Sequence, residues 1–396
     1  MSSILHDELW SMIMELLSPL EYGVLYRVSR KWNHMVSNIR KQKLSEKNQP
    51  KPKSNILFCK LAAEYGYLGL LKWARENGLE WNETVCTAAA KNGHLELLEW
   101  AMDNGCRFYN NLFEIAAKNG HLNILKWLRT KREFIGLKLN AIVYDHTICL
   151  HAATGGHLDV LKWAINNEYS KNILTCQNAA AGGHLKVLQW ARDNGFGWND
   201  MTCKKAAKNG HLDVLQWARE NGCKWDYKTC SGAAEGGHLN ILQWARANGC
   251  SWDKHTCSSA ESGHLDVLQW ARQNGCEWSS YTITNAAIYG HLEVIQWARA
   301  NGCPYNKYAT KNAATNGHLE VLQWLLANGC PTDDQICTYA AERGHLNILE
   351  WAHANGYIFY KETYEIAEEE NHYQILEWLQ KNSGPMDELQ YSDMEY

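Results

Sequence analysis

One 22-residue string dominates this chain and limits what it can fold into. Residues 202–223 read T-C-K-K-A-A-K-N-G-H-L-D-V-L-Q-W-A-R-E-N-G-C, and relatives of that string recur along most of the 396 residues. The His of its Gly-His pair marks the register. It stands at His94, His121, His157, His184, His211, His238, His264, His291, His318, His345 and His372, with Tyr67 in the same slot, which makes twelve units. Successive markers are 27 residues apart, except for one step of 36 before His157 and one of 26 before His264. A Trp follows six residues after every marker, from Trp73 to Trp378, so the units align without ambiguity. A fixed period of this size means a stacked repeat architecture rather than one central core.

The spacing within a unit predicts two helices. After Gly210-His211, Leu212, Val214, Leu215, Trp217 and Ala218 cover a wide helical face and leave Asp213, Gln216 and Glu220 toward water. Asn221-Gly222 carries the residue types of a left-handed helix end, and Asp213 places an acid in the first turn, where the helix dipole favours it. Upstream, Thr202 reads as the N-cap of a shorter helix whose Cys203, Ala206 and Ala207 form a stripe of small residues. Apolar surface on two sides cannot be hidden within 27 residues, so each unit must be covered by its neighbours. The periodicity is helical rather than strand-like, which excludes leucine-rich repeats of similar length.

The fourteen cysteines fall into two ladders, one in the Thr-Cys slot and one after Asn-Gly, and none forms a C-x-x-C pair. They read as small buried hydrophobes rather than metal ligands. The histidine ladder reads the same way, as a structural hydrogen-bonding group, because one metal site needs three or four converging ligands. The marker Trp residues read as core, with Trp217 packed between neighbouring repeats. The loop aromatics, Trp81, Phe108, Trp198, Trp225, Trp252, Trp278, Tyr305 and Phe359, either seal adjacent loops or offer edges to a partner. A net charge of -4 gives no general attraction to nucleic acid or to an anionic membrane, and no run of 18 apolar residues could span a bilayer. The N-terminus lacks the order of a signal peptide, so the cysteines are expected in a reducing compartment.

The string A-A-x-x-G-H-L-x-V-L-x-W-A-x-x-N-G-C resembles the ankyrin repeat, with Trp217 in a leucine slot. The resemblance runs over residues 54–384 and implies an all-α helix-turn-helix solenoid. Relative to the usual ankyrin unit, about six residues are missing between Cys223 and Thr229, so short loops should replace the projecting hairpin fingers. Short, Trp-bearing units of this kind are similar to those encoded in tandem by giant DNA viruses of amoebae, which implies the host cytoplasm as location.

Outside the repeats, residues 1–39 hold apolar residues at helical spacing but with no trace of the 27-residue period. Leu5, Glu8, Leu9, Ile13, Leu17, Pro19, Val28, Ser29, Lys31 and Trp32 follow the order of an F-box, although His6 and Tyr22 depart from its pattern. This resemblance implies docking on the Skp-type adaptor of a cullin-RING ubiquitin ligase, with Leu5, Leu9, Ile13, Leu17 and Trp32 at the contact. Residues 40–53, with six bases and two prolines, read as a basic linker, the one stretch that would favour the nucleus. Nine extra residues before His157 suggest one retained finger. Glu365, Glu368, Glu369 and Glu370 make the last unit a polar cap, and the acidic residues 385–396 read as a disordered tail.

Residues that recur in every unit hold the stack together, which leaves the variable slots to meet a partner. No unit gathers a nucleophile, a base and an oxyanion donor, and there is no phosphate loop or cofactor motif, so the chain reads as a binding protein and not an enzyme. The expected function is that of a substrate receptor: the repeats hold an unidentified target protein and the F-box-like module brings it to the ligase. The runner-up is an ankyrin scaffold, or a module that sequesters a host protein, without a ligase link. The expected target contacts flank the Ala pair of the short helices: Lys204, Lys205 and Lys208, then Tyr289, Lys311, Tyr339, Glu342 and Arg343, in a gradient from basic to acidic.

Overall fold

In a computed structural model, the residues described are 54–76, 78–107, 111–135, 147–259, 263–333 and 335–382. The F-box-like module with Leu5, Leu9, Ile13, Leu17 and Trp32, the linker 40–53 and the tail 385–396 lie outside them. So does most of the insertion, although its first residues continue the helix Leu122–Ile135, longer than the nine residues usual for its slot.

Twenty-four helices and no strand occur among the described residues, arranged as twelve pairs. Each pair has a leading helix, such as Asp200–Lys208, and a trailing helix, such as Leu212–Glu220. The fold is an all-α ankyrin-type solenoid. The chain divides into two compact units, Met1–Ala179 with Lys186–Phe196, and Ala180–Leu185 with Gly197–Tyr396. Within each, leading helices pack on leading helices of the neighbouring repeats, for example Asp200–Lys208 on Tyr227–Glu235 and Thr147–Gly155 on Leu112–Lys118.

Small residues allow that approach. Cys203, Ala206 and Ala207 of the leading helix are fully buried together with Val214, Leu215 and Ala218 of the trailing one. At Gly232 even a methyl group would stand 2.8 Å from the Lys204 carbonyl oxygen of the preceding repeat. All fourteen cysteines are free and buried. Burial pushes the Cys149 and Cys337 thiols up to about 12, so they remain neutral and pack as apolar groups. The thiols after Asn-Gly also act as donors. Cys223 donates to the Asn199 carbonyl at 3.3 Å and Cys250 to that of Asp226 at 3.2 Å, tying each trailing end to the start of its own leading helix.

Both helices end in the same way. In the leading helix the Gly210 N–H bonds the Ala207 carbonyl and the His211 N–H that of Ala206; in the trailing helix Gly222 and Cys223 repeat this toward Arg219 and Ala218. These are Schellman ends, and the glycines take the left-handed conformation they need, φ 85° at Gly210 and 81° at Gly222. The helix starts differ from the expectation. Thr202 is not the N-cap; it lies inside the leading helix, fully buried, with its hydroxyl unpaired. The cap slot is the residue after the loop aromatic, three positions earlier; Asn199 fills it in this unit without a side-chain cap bond, whereas in two other units the short side chain reaches an orphan N–H. Asp226 accepts from the Lys228 N–H and Asn306 from the Tyr308 N–H, both at 3.0 Å.

The marker Trp residues also sit differently from the expectation. Trp217 is half-buried, and Trp198 meets it edge-on at 5.7 Å. Trp225 lies under the Arg219 guanidinium at 4.3 Å and against Trp244 at 5.7 Å, so it bridges the trailing helices before and after its loop. The pattern repeats at Trp252 and Trp278. Trp225, Trp252 and Trp278 therefore seal the seam between repeats; Phe108 lies outside the described residues. Each guanidinium is held twice, since Arg246 also donates to the Cys250 carbonyl at 2.6 Å.

Candidate protein-binding surface

The Gly-His pair settles which residues belong to the scaffold. His345 Nε2 stands 3.0 Å from the Thr315 carbonyl, the last helical residue of the preceding leading helix. That carbonyl has no partner within its own helix, so the imidazole N–H caps it across the repeat boundary. The contact recurs at His94, His121 and His157 in one unit, and at His211, His318 and His372 in the other. Each ring rests on the glycine of the preceding repeat. A Cβ on Gly317 would stand 2.7 Å from His345 Cε1. Glycine is thus required there twice over, by its positive φ of 78° and by the ring above it. The histidine ladder is a hydrogen-bonding element of the stack. Among the described residues no group of three or more His, Cys, Asp or Glu side chains could hold a metal ion.

What varies between repeats lies mainly on the solvent side of the leading helices. Lys204 and Lys205 are half-buried, while Lys208 is exposed and ion-paired with Glu235 of the next repeat. Lys228, on the next leading helix, is claimed as well, 3.0 Å from Asp200 and 3.3 Å from Asp226; hydrogen bonds to these carboxylates raise its pKa. Carboxylates from adjacent repeats thus offset part of the basic stretch. Lys311 extends over the Tyr339 ring at 4.5 Å, joining two expected contact residues of consecutive repeats. The Tyr339 hydroxyl is 3.2 Å from an Asp333 oxygen, and burial followed by that carboxylate raises its pKa. Glu342 and Arg343 face each other at 3.6 Å, and the Glu342 carbonyl accepts from His372. Tyr289 is exposed in the last turn of its helix, stacked on His291 at 6.2 Å. The expected residues therefore line up along successive leading helices as several small contacts and not as one cluster. Thr284, beside them in sequence, is buried; its hydroxyl binds the Ser280 carbonyl and Asn306.

Sequence reasoning missed a second row on the same helices. Tyr281 and Tyr308 occupy the same first-turn slot in consecutive repeats and are more than half exposed, with His255 in that slot one repeat earlier. The signal was legible as an aromatic or histidine in that position of three successive units.

Family models described as ankyrin repeats match residues 60–141, in a model of three copies, and residues 283–326 and 311–353, in a model of many copies. The chain carries ankyrin repeats, and these support a role in binding another protein. No curated protein sequence matches the chain. No helix among the described residues is long and apolar enough to cross a membrane.

Proposed function

We propose that this chain is a substrate receptor that holds a target protein on the faces of its leading helices and, through residues 1–39, presents it to a Skp-cullin-F-box ubiquitin ligase. The observation that carries the binding half is the division of labour within each repeat. Recurrent residues hold the scaffold, as in the His345 bond to Thr315, whereas Tyr281, Tyr289 and Tyr308 change between repeats and face solvent. Exposed large rings at variable positions are unusual for scaffold residues and ordinary for contact residues. The ligase half rests on the F-box-like order of Leu5, Leu9, Ile13, Leu17 and Trp32. Residues 40–53 would then act as a tether, residues 54–384 as the target-binding solenoid and residues 385–396 as an acidic tail. The short Trp-bearing units support an origin in a giant virus and a place of action in the host cytoplasm.

Co-purification with a Skp-type adaptor tests this reading. The full chain should bring down the adaptor, and Leu9→Ala with Ile13→Ala should abolish that binding while the melting of the repeats stays unchanged. Retained adaptor binding in the double variant would refute the F-box assignment. A chain that captured target protein but never the adaptor would instead be a scaffold or a sequestering module.

A further inference from the structure

The row formed by Tyr281, Tyr308 and their neighbours has a spacing that selects its occupant. Tyr281 is 58 % exposed and Tyr308 53 % exposed, on the helices Ser280–Tyr289 and Lys307–Thr315, which pack directly against each other. His255 precedes them in the same slot, and Tyr227, one position earlier in its own repeat, meets His255 at 6.3 Å. The platform beneath is fixed: Asn306 donates to the Ser280 hydroxyl at 3.0 Å and accepts from the Thr284 hydroxyl at 3.2 Å. The Tyr281 and Tyr308 rings lie outside the buried core.

Packed helices lie about 8–10 Å apart, which is the interval expected between side chains in the same slot of consecutive repeats, such as Tyr281 and Tyr308. A polyproline II segment rises about 3.1 Å per residue with three residues per turn, and so presents the same face every ~9 Å. A β-strand advances a similar distance in three residues but turns the third side chain to the opposite face. Charge adds a second constraint. The exposed first-turn residues of the three leading helices from 254 to 308 are Lys254, His255, Tyr281 and Lys307 with Tyr308, and none is a carboxylate; the exposed first-turn acids of this stretch, Asp266 and Glu293, stand on the trailing helices. Asp253, just before Lys254, caps that helix, its Oδ1 accepting from the His255 N–H at 3.0 Å.

We propose that this row binds an acidic segment of a partner protein in polyproline II conformation, one turn of the segment per repeat, with its prolines on the Tyr281 and Tyr308 rings and its carboxylates toward Lys254 and Lys307. The inference rests on the protein-binding reading above and names the chemistry of the partner. A single strand of nucleic acid also suits aromatic rings and lysines, but it brings a phosphate with every nucleotide to a chain of net charge -4. An acidic segment of this kind brings one carboxylate per turn.

The test is fluorescence anisotropy with the full chain at low salt and a labelled peptide of four Glu-Pro-Pro triplets. That peptide should bind at least about tenfold more tightly than its Lys-Pro-Pro counterpart, and Tyr281→Ala with Tyr308→Ala should weaken it about tenfold or more. Tyr281→Phe with Tyr308→Phe keeps the rings and should keep the binding, which separates loss of contact from loss of fold. Lys307→Glu should weaken the acidic peptide and strengthen the basic one. Equal affinity for the two peptides, wild-type binding by the Ala variant, or tighter binding of oligo(dT) to the same tyrosines would overturn the proposal. Captured target protein that is unaffected by the Ala variant would leave the receptor function standing and remove only this assignment of the row.

Discussion

At the scale of single residues, positions that look interchangeable in sequence prove to have distinct physical roles. Thr202 is the clearest. Its fully buried hydroxyl has no hydrogen-bond partner, while its methyl group packs like that of a valine. Thr202→Val removes an unsatisfied polar atom at constant shape and should stabilise the repeat by about 1 kcal/mol in urea unfolding. A loss of similar size would mean that the hydroxyl has a partner. The histidine ladder makes a second prediction. Burial lowers the pKa of His291 below its usual 6.5, helped by the adjacent His264 and His318. A histidine whose folded pKa is depressed takes up its proton more readily in the unfolded chain. Its contribution to stability is therefore complete above pH 6.5 and shrinks as the pH falls from there toward the folded pKa. Thermal melts between about pH 7.5 and 5 should fall over that interval in the wild type and less steeply in His291→Asn. A His291 titration at or above 6.5 in the folded chain would contradict it.

At the scale of the helix pair, most of the architecture was legible because a repeat restates its own rules. The Gly-His pair announced a helix end followed by a helix start, and the small residues at Cys203, Ala206 and Ala207 announced close packing. What escaped was the exact start of the leading helix and the depth of the Trp residues. Thr and Asn are both good caps, and three residues separate Thr202 from the cap slot at Asn199, so composition alone did not choose between them. A Trp at a leucine position reads as core, but burial also depends on what the neighbouring loop lays over the ring. Trp217 is left half-buried with Trp198 against its edge. Trp217→Ala should for that reason cost about 1–3 kcal/mol, less than a fully buried ring would. Because repeats couple chiefly to their neighbours, hydrogen exchange should rise over residues 197–250 and not in the terminal cap. Uniform loss of protection throughout 197–382 would show a stack that unfolds as one unit.

At the scale of the whole molecule, the candidate surface was legible only in part. Sequence places Lys204, Lys205 and Lys208 on one helix face but does not show that Glu235 reaches Lys208 from the next repeat, or that Asp200 and Asp226 hold Lys228. Charge pairing across repeats depends on which slots face each other, and that register is fixed only by the stacking. Lys204→Glu with Lys205→Glu should slow target association, more at low salt than at high, while dissociation changes little. Unchanged association rates at low salt would remove these two lysines from the interface. The binding reading depends above all on partners meeting the leading helices and not the trailing ones. Site-specific photocrosslinking in cells is the sharpest test, with a benzophenone side chain placed at Lys204 or Tyr308 on the leading faces and at Asp213 or Glu293 on the exposed trailing faces. The two leading positions should crosslink to a common protein and the trailing positions should not; crosslinks confined to Asp213 and Glu293 would refute the assignment of the binding face.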